Sequence, residues 1–225
     1  MGTALALAIA ATPTADGTLA GLFKALTSRL GGDAEPLEEP AVQRLVERAR
    51  AGDRDAAQRL YRQQVDRVFR TVRGVLRSDA EAEDVTQDAM LAVLTSLDRY
   101  TPREDARFAA WVASVAVNTA RRRFRRRRPE LTATGELPDV PDESAPPERE
   151  VDTAREREAL LRALADLAPA EREMISLRYG AELTASEIAK LVKLEPANVR
   201  KILERTRERL GARIEELLQR TGTNL

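Results

Sequence analysis

LTASEIAKLVKLEPANVRKILERTRERL, from Leu183 to Leu210, contains two helix starts in quick succession. Thr184-Ala185-Ser186-Glu187 reads as a capping box, in which the threonine bonds forward to the backbone and the glutamate reaches back. The helix it opens is expected to end near Val192. Lys193-Leu194-Glu195 then turns the chain into a longer helix starting at Pro196, a residue well suited to the first helical position. A short helix, a tight turn and a longer polar-faced helix make a helix-turn-helix unit. Ala189 is small where two helices must approach closely, and Leu194, Val199 and Ile202 are expected to lock the turn to a core. Asn198, Arg200, Lys201, Glu204, Arg205 and Arg207 face outward, where Arg and Asn can read base edges or clasp phosphates. An amphipathic helix has a solvated polar face in any case. The excess of cations favours nucleic acid.

Upstream, Leu160, Leu161 and Leu164 form one apolar stripe and Met174, Ile175 and Tyr179 another, with Gly180 placed to stop the second helix. This unit is expected to start near Arg155. Before it, from Pro129 to about Asp152, Pro138, Pro141, Pro146 and Pro147 break helices. Glu136, Asp139, Asp142, Glu143 and Glu148 make the segment anionic, so it reads as a linker.

A second helical unit precedes the linker. Pro40 to Arg50 reads as a short helix, with Gly52 to end it and Asp53 to cap the next. Tyr61, Val65, Val68, Phe69, Val72 and Leu76 fall on one face of the second helix. The third, about Ala80 to Leu97, is expected to bury Val85, Ala89, Val93 and Leu97. Phe108, Trp111, Val112, Val115 and Thr119 stripe the fourth, which is expected to end before Pro129. Helical spacing recurs throughout and strand alternation does not. The fold class is therefore all-α, as two small helical domains joined by a flexible acidic linker.

Composition narrows the chemistry. The 225 residues include 37 basic and 37 acidic side chains, so the net charge of +0 names no partner. Cys and His are both 0, which removes disulfides, thiolate and imidazole chemistry, and nearly all zinc sites. No cofactor or metal is expected, and no paired carboxylates suggest an enzyme. Ala4 to Ala11 is a short apolar run without the basic flank of a secretory signal, and it is far too short to span a bilayer. Residues 1–39 read as a flexible extension with a short helix at Leu19 to Leu30, and a cytoplasmic location without membrane insertion is expected.

Two further clusters carry function. Arg121 to Arg128, interrupted only by Phe124, is an electrostatic footprint for phosphate. Phe108 and Trp111 lie just upstream, and aromatics beside a basic track can stack unpaired bases, although their spacing fits burial of at least one of them. Asn118 falls beside the apolar stripe, suited to polar readout. Glu81, Glu83, Asp84, Gln87 and Asp88 gather at a helix start. The helix dipole accounts for Glu81 and Glu83, but Gln87 and Asp88 lie a turn further in and leave room for a partner surface.

Together these residues resemble an extracytoplasmic-function (ECF) RNA polymerase sigma factor, from about Val42 to Leu210. EAEDVTQDAM resembles the family's helix that grips the clamp helices of the polymerase largest subunit. That implies bacterial core polymerase contacts at Asp84 and Gln87, with Asp88 behind them. FAAWVASVAVNTARRRFRRRR resembles the segment that melts and reads the downstream (minus-ten) promoter element, implying DNA contacts at Trp111, Asn118, Arg121, Arg122 and Arg125. The loop from about Asp98 to Arg107 would form the pocket for a flipped base. LAPAEREMISLRYGAELTASEIAKLV and the following helix resemble the region that binds the upstream (minus-thirty-five) element, implying contacts at Asn198, Arg200, Lys201 and Arg205. Met90 departs from the usual aromatic, and Ala197-Asn198 from the common Gly-Thr.

The resemblance implies the following division. Residues 40–128 form a region-two-like domain, 129–154 an acidic linker that follows the RNA exit path, and 155–211 a region-four-like domain, with 212–225 as an extension. It implies promoter recognition, DNA melting and transcription initiation with core polymerase, and an anti-sigma factor as a further partner. The alternative is a helix-turn-helix regulator that binds DNA without core polymerase.

Overall fold

The computed structural model describes residues 37–76, 78–131 and 148–222, together with Gly21. The expected helix at Leu19 to Leu30 lies outside the described residues, apart from Gly21, which is helical. Eight α-helices follow in order: α1 (Glu39–Arg50), α2 (Arg54–Val75), α3 (Asp79–Thr95), α4 (Phe108–Leu131), α5 (Glu148–Ala165), α6 (Pro169–Ile175), α7 (Ala185–Val192) and α8 (Pro196–Gly222). No strand occurs among the described residues, only an isolated bridge between Arg103 and Ala106.

Local chemistry sets most helix ends. Acidic Glu39 opens α1 and Arg48 and Arg50 close it, complementing its dipole. Gly52 then takes φ +88°, a conformation that costs glycine little. Asp53 caps α2 by accepting from the Asp55 and Ala56 N–H groups at 3.0 and 3.1 Å. The α4 start is held from a distance, since the Phe108 N–H donates to Glu39 Oε1 at 2.7 Å.

Two cores form. In the first, Leu60, Val68, Val72, Val85, Ala89, Met90 and Val93 pack against Phe108, Val112, Ala116 and Ala120 of α4. Val68, Phe69, Val72 and Leu76 are buried as expected, but near the start of α2 Leu60 takes the inward place and Tyr61 is exposed. Val65, Trp111, Val115 and Thr119 are half-buried rather than central. In the second core, Leu160, Leu164, Ile175, Leu177, Leu183, Ile188, Val199 and Leu210 gather with Ala109, Ala110, Ala113 and Val117. Those last four are also α4 residues, so this one helix serves both cores. Its small side chains let the second unit approach closely.

Three helix boundaries and one packing assignment differ from the sequence reading. Helix α4 runs over Pro129 to Leu131, placing the proline near its end, where few backbone bonds remain to be lost. Helix α5 begins at Glu148, inside the expected linker, because the EREVDTAR run that follows the prolines contains several good helix formers. Helix α8 continues to Gly222 and absorbs most of the expected extension, with Ile214 fully buried. Leu194 is 41% exposed and does not lock the turn. Lys193 takes a left-handed φ of 57° there and aims the next residue outward. Residues 132–147 lie outside the described residues.

Candidate nucleic-acid and polymerase interface

The helix-turn-helix forms as its capping box requires. Thr184 Oγ1 accepts from the Glu187 N–H at 3.2 Å, and Glu187 Oε2 accepts from the Thr184 N–H at 2.8 Å. Glu187 is also gripped by Arg107, whose Nε and Nη2 each lie 2.8 Å from a carboxylate oxygen. Burial raises the pKa of Glu187, but the hydrogen bonds from Arg107 and Thr184 outweigh it and bring the carboxyl down to about 2. Ile188 and Val199 are fully buried and Ala189 is buried, so α7 and the start of α8 are held on the same core.

Asn198, Arg200, Lys201 and Arg205 are exposed on the first turns of α8, one continuous polar surface. A cleft of about 420 Å³ adjoins it, lined by Arg178, Thr184, Arg200, Glu204 and Arg207 among others. Arg178 was not among the residues singled out by sequence. It lies before the turn, and only the folded position of the SLRYG segment brings it beside α8. Ser176–Gly180 is a single π turn continuing α6, and it ends at Gly180 as expected.

On the first unit, Asp84, Gln87 and Asp88 are exposed on α3, with Val85, Ala89 and Met90 turned into the core. Leu91, 63% exposed, extends the same face by a turn. An apolar side chain so placed beside acids is a contact signal that the sequence reading missed. Arg123 Nη2 lies 3.6 Å from Asp84 Oδ2, so the acidic face adjoins the basic end of α4.

Along α4, Asn118, Arg121, Arg122 and Arg125 are exposed. Phe108 is fully buried, whereas Trp111 is half-buried at the protein surface. The indole packs on Tyr100 at 5.3 Å and Phe108 at 5.6 Å between ring centroids. This triplet is an aromatic platform at the foot of the Asp98–Arg107 loop, where Thr101–Asp105 are exposed. Arg121 is engaged within the molecule: its Nε lies 2.8 Å from Glu173 Oε2.

Comparison with known proteins agrees with this arrangement. The Sigma-70 region 2 family matches residues 60–130 and Sigma-70, region 4 matches residues 163–211. The chain is 34% identical over 149 residues to the ECF RNA polymerase sigma factor BldN of Streptomyces coelicolor, covering 66% of this chain and 56% of BldN's length. It is 32% identical to the RNA polymerase sigma factor CarQ of Myxococcus xanthus, covering 76% of this chain and 97% of CarQ. Among solved structures, that of CnrH in complex with the cytosolic domain of CnrY has a similar fold, with a TM-score of 0.56 at 23% identity, over 76% of this chain and 96% of CnrH. No helix among the described residues is long and apolar enough to cross a membrane. With two family models in the expected order and a relative matched over nearly its whole length, the chain belongs to the ECF family of RNA polymerase sigma factors.

Proposed function

We propose that this chain is an alternative sigma factor that binds bacterial core RNA polymerase and directs promoter recognition, DNA melting and transcription initiation. The observation that carries the proposal is the pairing of two separate exposed surfaces: the Asp84–Gln87–Asp88 face of α3 and the cationic first turns of α8. A DNA regulator working alone has no use for the first, and a polymerase decoy has none for the second.

In this reading residues 40–128 act as the region-two-like domain and 155–211 as the region-four-like domain. Asp84 and Gln87 contact core polymerase, with Asp88 supporting them. Trp111, Asn118, Arg121, Arg122 and Arg125 engage melted downstream DNA: the indole offers a stacking face and the guanidiniums offer phosphate forks. Asn198, Arg200, Lys201 and Arg205 engage the upstream duplex in its major groove. The chain performs no covalent chemistry of its own, works in the cytoplasm and is a target for an anti-sigma factor, as the similarly folded sigma factor RpoE of Bartonella quintana is solved with the anti-sigma factor NepR.

The test measures binding of the full chain to purified bacterial core polymerase, and of the resulting complex to promoter fragments. Sigma activity predicts core binding that falls at least tenfold with Asp84→Ala or Gln87→Ala. It also predicts sequence-selective promoter binding that needs core. Selective operator binding by the free chain, with no affinity for core, would replace this reading with the plain regulator.

A further inference from the structure

The loop between α3 and α4 is held at both ends by α1. At its start, Arg50, the last residue of α1, grips Leu97: Nε and Nη2 donate to the Leu97 carbonyl at 3.0 and 2.7 Å. The same Nη2 also donates to the Tyr100 carbonyl. Arg50 Cζ lies over the Tyr100 ring, 6.0 Å from its centroid. At the far end of the loop, the Phe108 N–H donates to Oε1 of Glu39, the first residue of α1, at 2.7 Å. Helix α1 has 12 residues and is about 18 Å long. It is a strut whose two terminal side chains fix the two roots of one loop, and neither hold uses a residue of the second unit.

Ordinary capping explains only part of this. Leu97–Arg99 is a single 3-10 turn, and carbonyls at a helix end lack partners that an arginine can supply. A side chain close in sequence would serve that need. Here the donor comes from 47 residues earlier, and the helix that supplies it also supplies the acceptor for Phe108.

The residues at the two roots are those of the aromatic platform. Tyr100 and Phe108 are buried and meet edge to face at 5.0 Å, and both pack on the half-buried Trp111. Burial raises the pKa of the Tyr100 hydroxyl, Glu39 raises it further and Arg50 opposes them, so the ring lies within electrostatic reach of both ends of α1. Between the roots, Thr101–Asp105 are exposed. The stretch from Thr101 to Arg107 can extend to about 24 Å, so with free roots its tip would sweep a wide arc beside Trp111. Ordering such a loop at the moment of binding costs affinity, and fixing its roots beforehand removes part of that cost.

We propose that α1 is a positioning element for reading the downstream strand: Arg50 and Glu39 set the loop at a fixed spacing from Trp111, so that an unpaired base stacked on the indole meets the loop in one place. The proposal rests on the sigma-factor reading, which gives the platform its ligand. Arg50 and Glu39 touch no DNA in this account and act through Leu97, Tyr100 and Phe108. The phosphate contacts of Arg122 and Arg125 do not depend on the strut. Arg50 therefore governs which base is preferred more than how tightly the strand is held.

The experiment captures random-sequence short single-stranded DNA on the full chain bound to purified bacterial core polymerase, and sequences what is retained. The wild-type complex is expected to prefer one base at one position. Arg50→Ala and Glu39→Ala are each expected to lower that preference roughly fivefold or more, with total DNA retained staying within about twofold. Arg50→Lys keeps the charge but lacks the fork, and should recover part of the preference. Arg44→Ala removes the same charge from an exposed position of the same helix and should leave the preference intact. Arg50 is exposed and outside both cores, so its variants should fold, which thermal unfolding checks. Trp111 is the one tryptophan of the chain, so its fluorescence reports the platform without polymerase. Acrylamide quenching of free Arg50→Ala should exceed that of the wild type. A folded Arg50→Ala chain with wild-type base preference, or an equal loss of preference in Arg44→Ala, would overturn the proposal. So would Trp111 quenching unchanged in both Arg50→Ala and Glu39→Ala. Failure of the sigma-factor reading is seen separately, as a wild-type chain without affinity for core polymerase, and the Trp111 measurement still tests the strut.

Discussion

Replacing Glu187 with glutamine tests whether one carboxylate serves two structures. Its oxygens close the capping box of α7 and also hold Arg107 of the first unit. The side chain is buried, so solvent screens these bonds little. The fall of its pKa from 4.5 to about 2 corresponds to about 3 kcal/mol favouring the charged, folded form. The sign follows from a folded value below the unfolded one. The contribution is complete above about pH 4.5 and is lost as the pH falls toward 2. Glu187→Gln retains a capping acceptor but not the charge, so at pH 7 it should cost about 1.5–3 kcal/mol, and much less near pH 2. Arg107→Ala should reproduce only part of this loss, because Thr184 still holds the carboxylate. The assay is urea unfolding followed by circular dichroism at a series of pH values between 2 and 7. A Glu187→Gln penalty that is the same at pH 2 and pH 7, or under about 0.5 kcal/mol at pH 7, would refute the reasoning.

Other perturbations probe separate links. Phe108→Ala empties a fully buried site shared with Tyr100 and Trp111, and should cost about 3–5 kcal/mol in chemical denaturation. Retention of wild-type stability would show that the aromatic platform is not part of the core. Lys201→Ala should weaken upstream duplex binding across all sequences, and should flatten the log–log salt dependence by about 1. An unchanged salt slope would remove Lys201 from the phosphate contacts.

Much of the fold was legible because it rests on local chemistry. The Thr184–Glu187 box, the Asp53 cap, Pro196 and Gly180 each mark a helix end by what their own atoms can do, and each stands where its chemistry predicts. Helix faces were less legible. Tyr61 and Leu60 are neighbours of similar hydrophobicity, and only packing decides which turns inward. Leu194 looked like a core residue until the left-handed Lys193 re-aimed the turn. The seam between the halves was hidden altogether. Ala109, Ala110 and Ala113 are small enough to suit any environment, and Glu182 meets arginines more than a hundred residues earlier. Arg121 reads in the sequence as a candidate phosphate ligand but not as a partner of Glu173, because complementary charges far apart in sequence carry no register. The site surfaces were readable largely through the family pattern. What the pattern could not show is that the Asp98–Arg107 loop is tied to α7 through Arg107 and Glu187.

The central claim is that this chain gives core polymerase its promoter. Transcription by purified bacterial core polymerase on a pool of promoter fragments, with and without the chain, tests it most directly. The account predicts discrete starts that appear only with the chain, and that vanish with Asp84→Ala or Gln87→Ala. Absence of chain-dependent starts, together with absence of core binding, would contradict it.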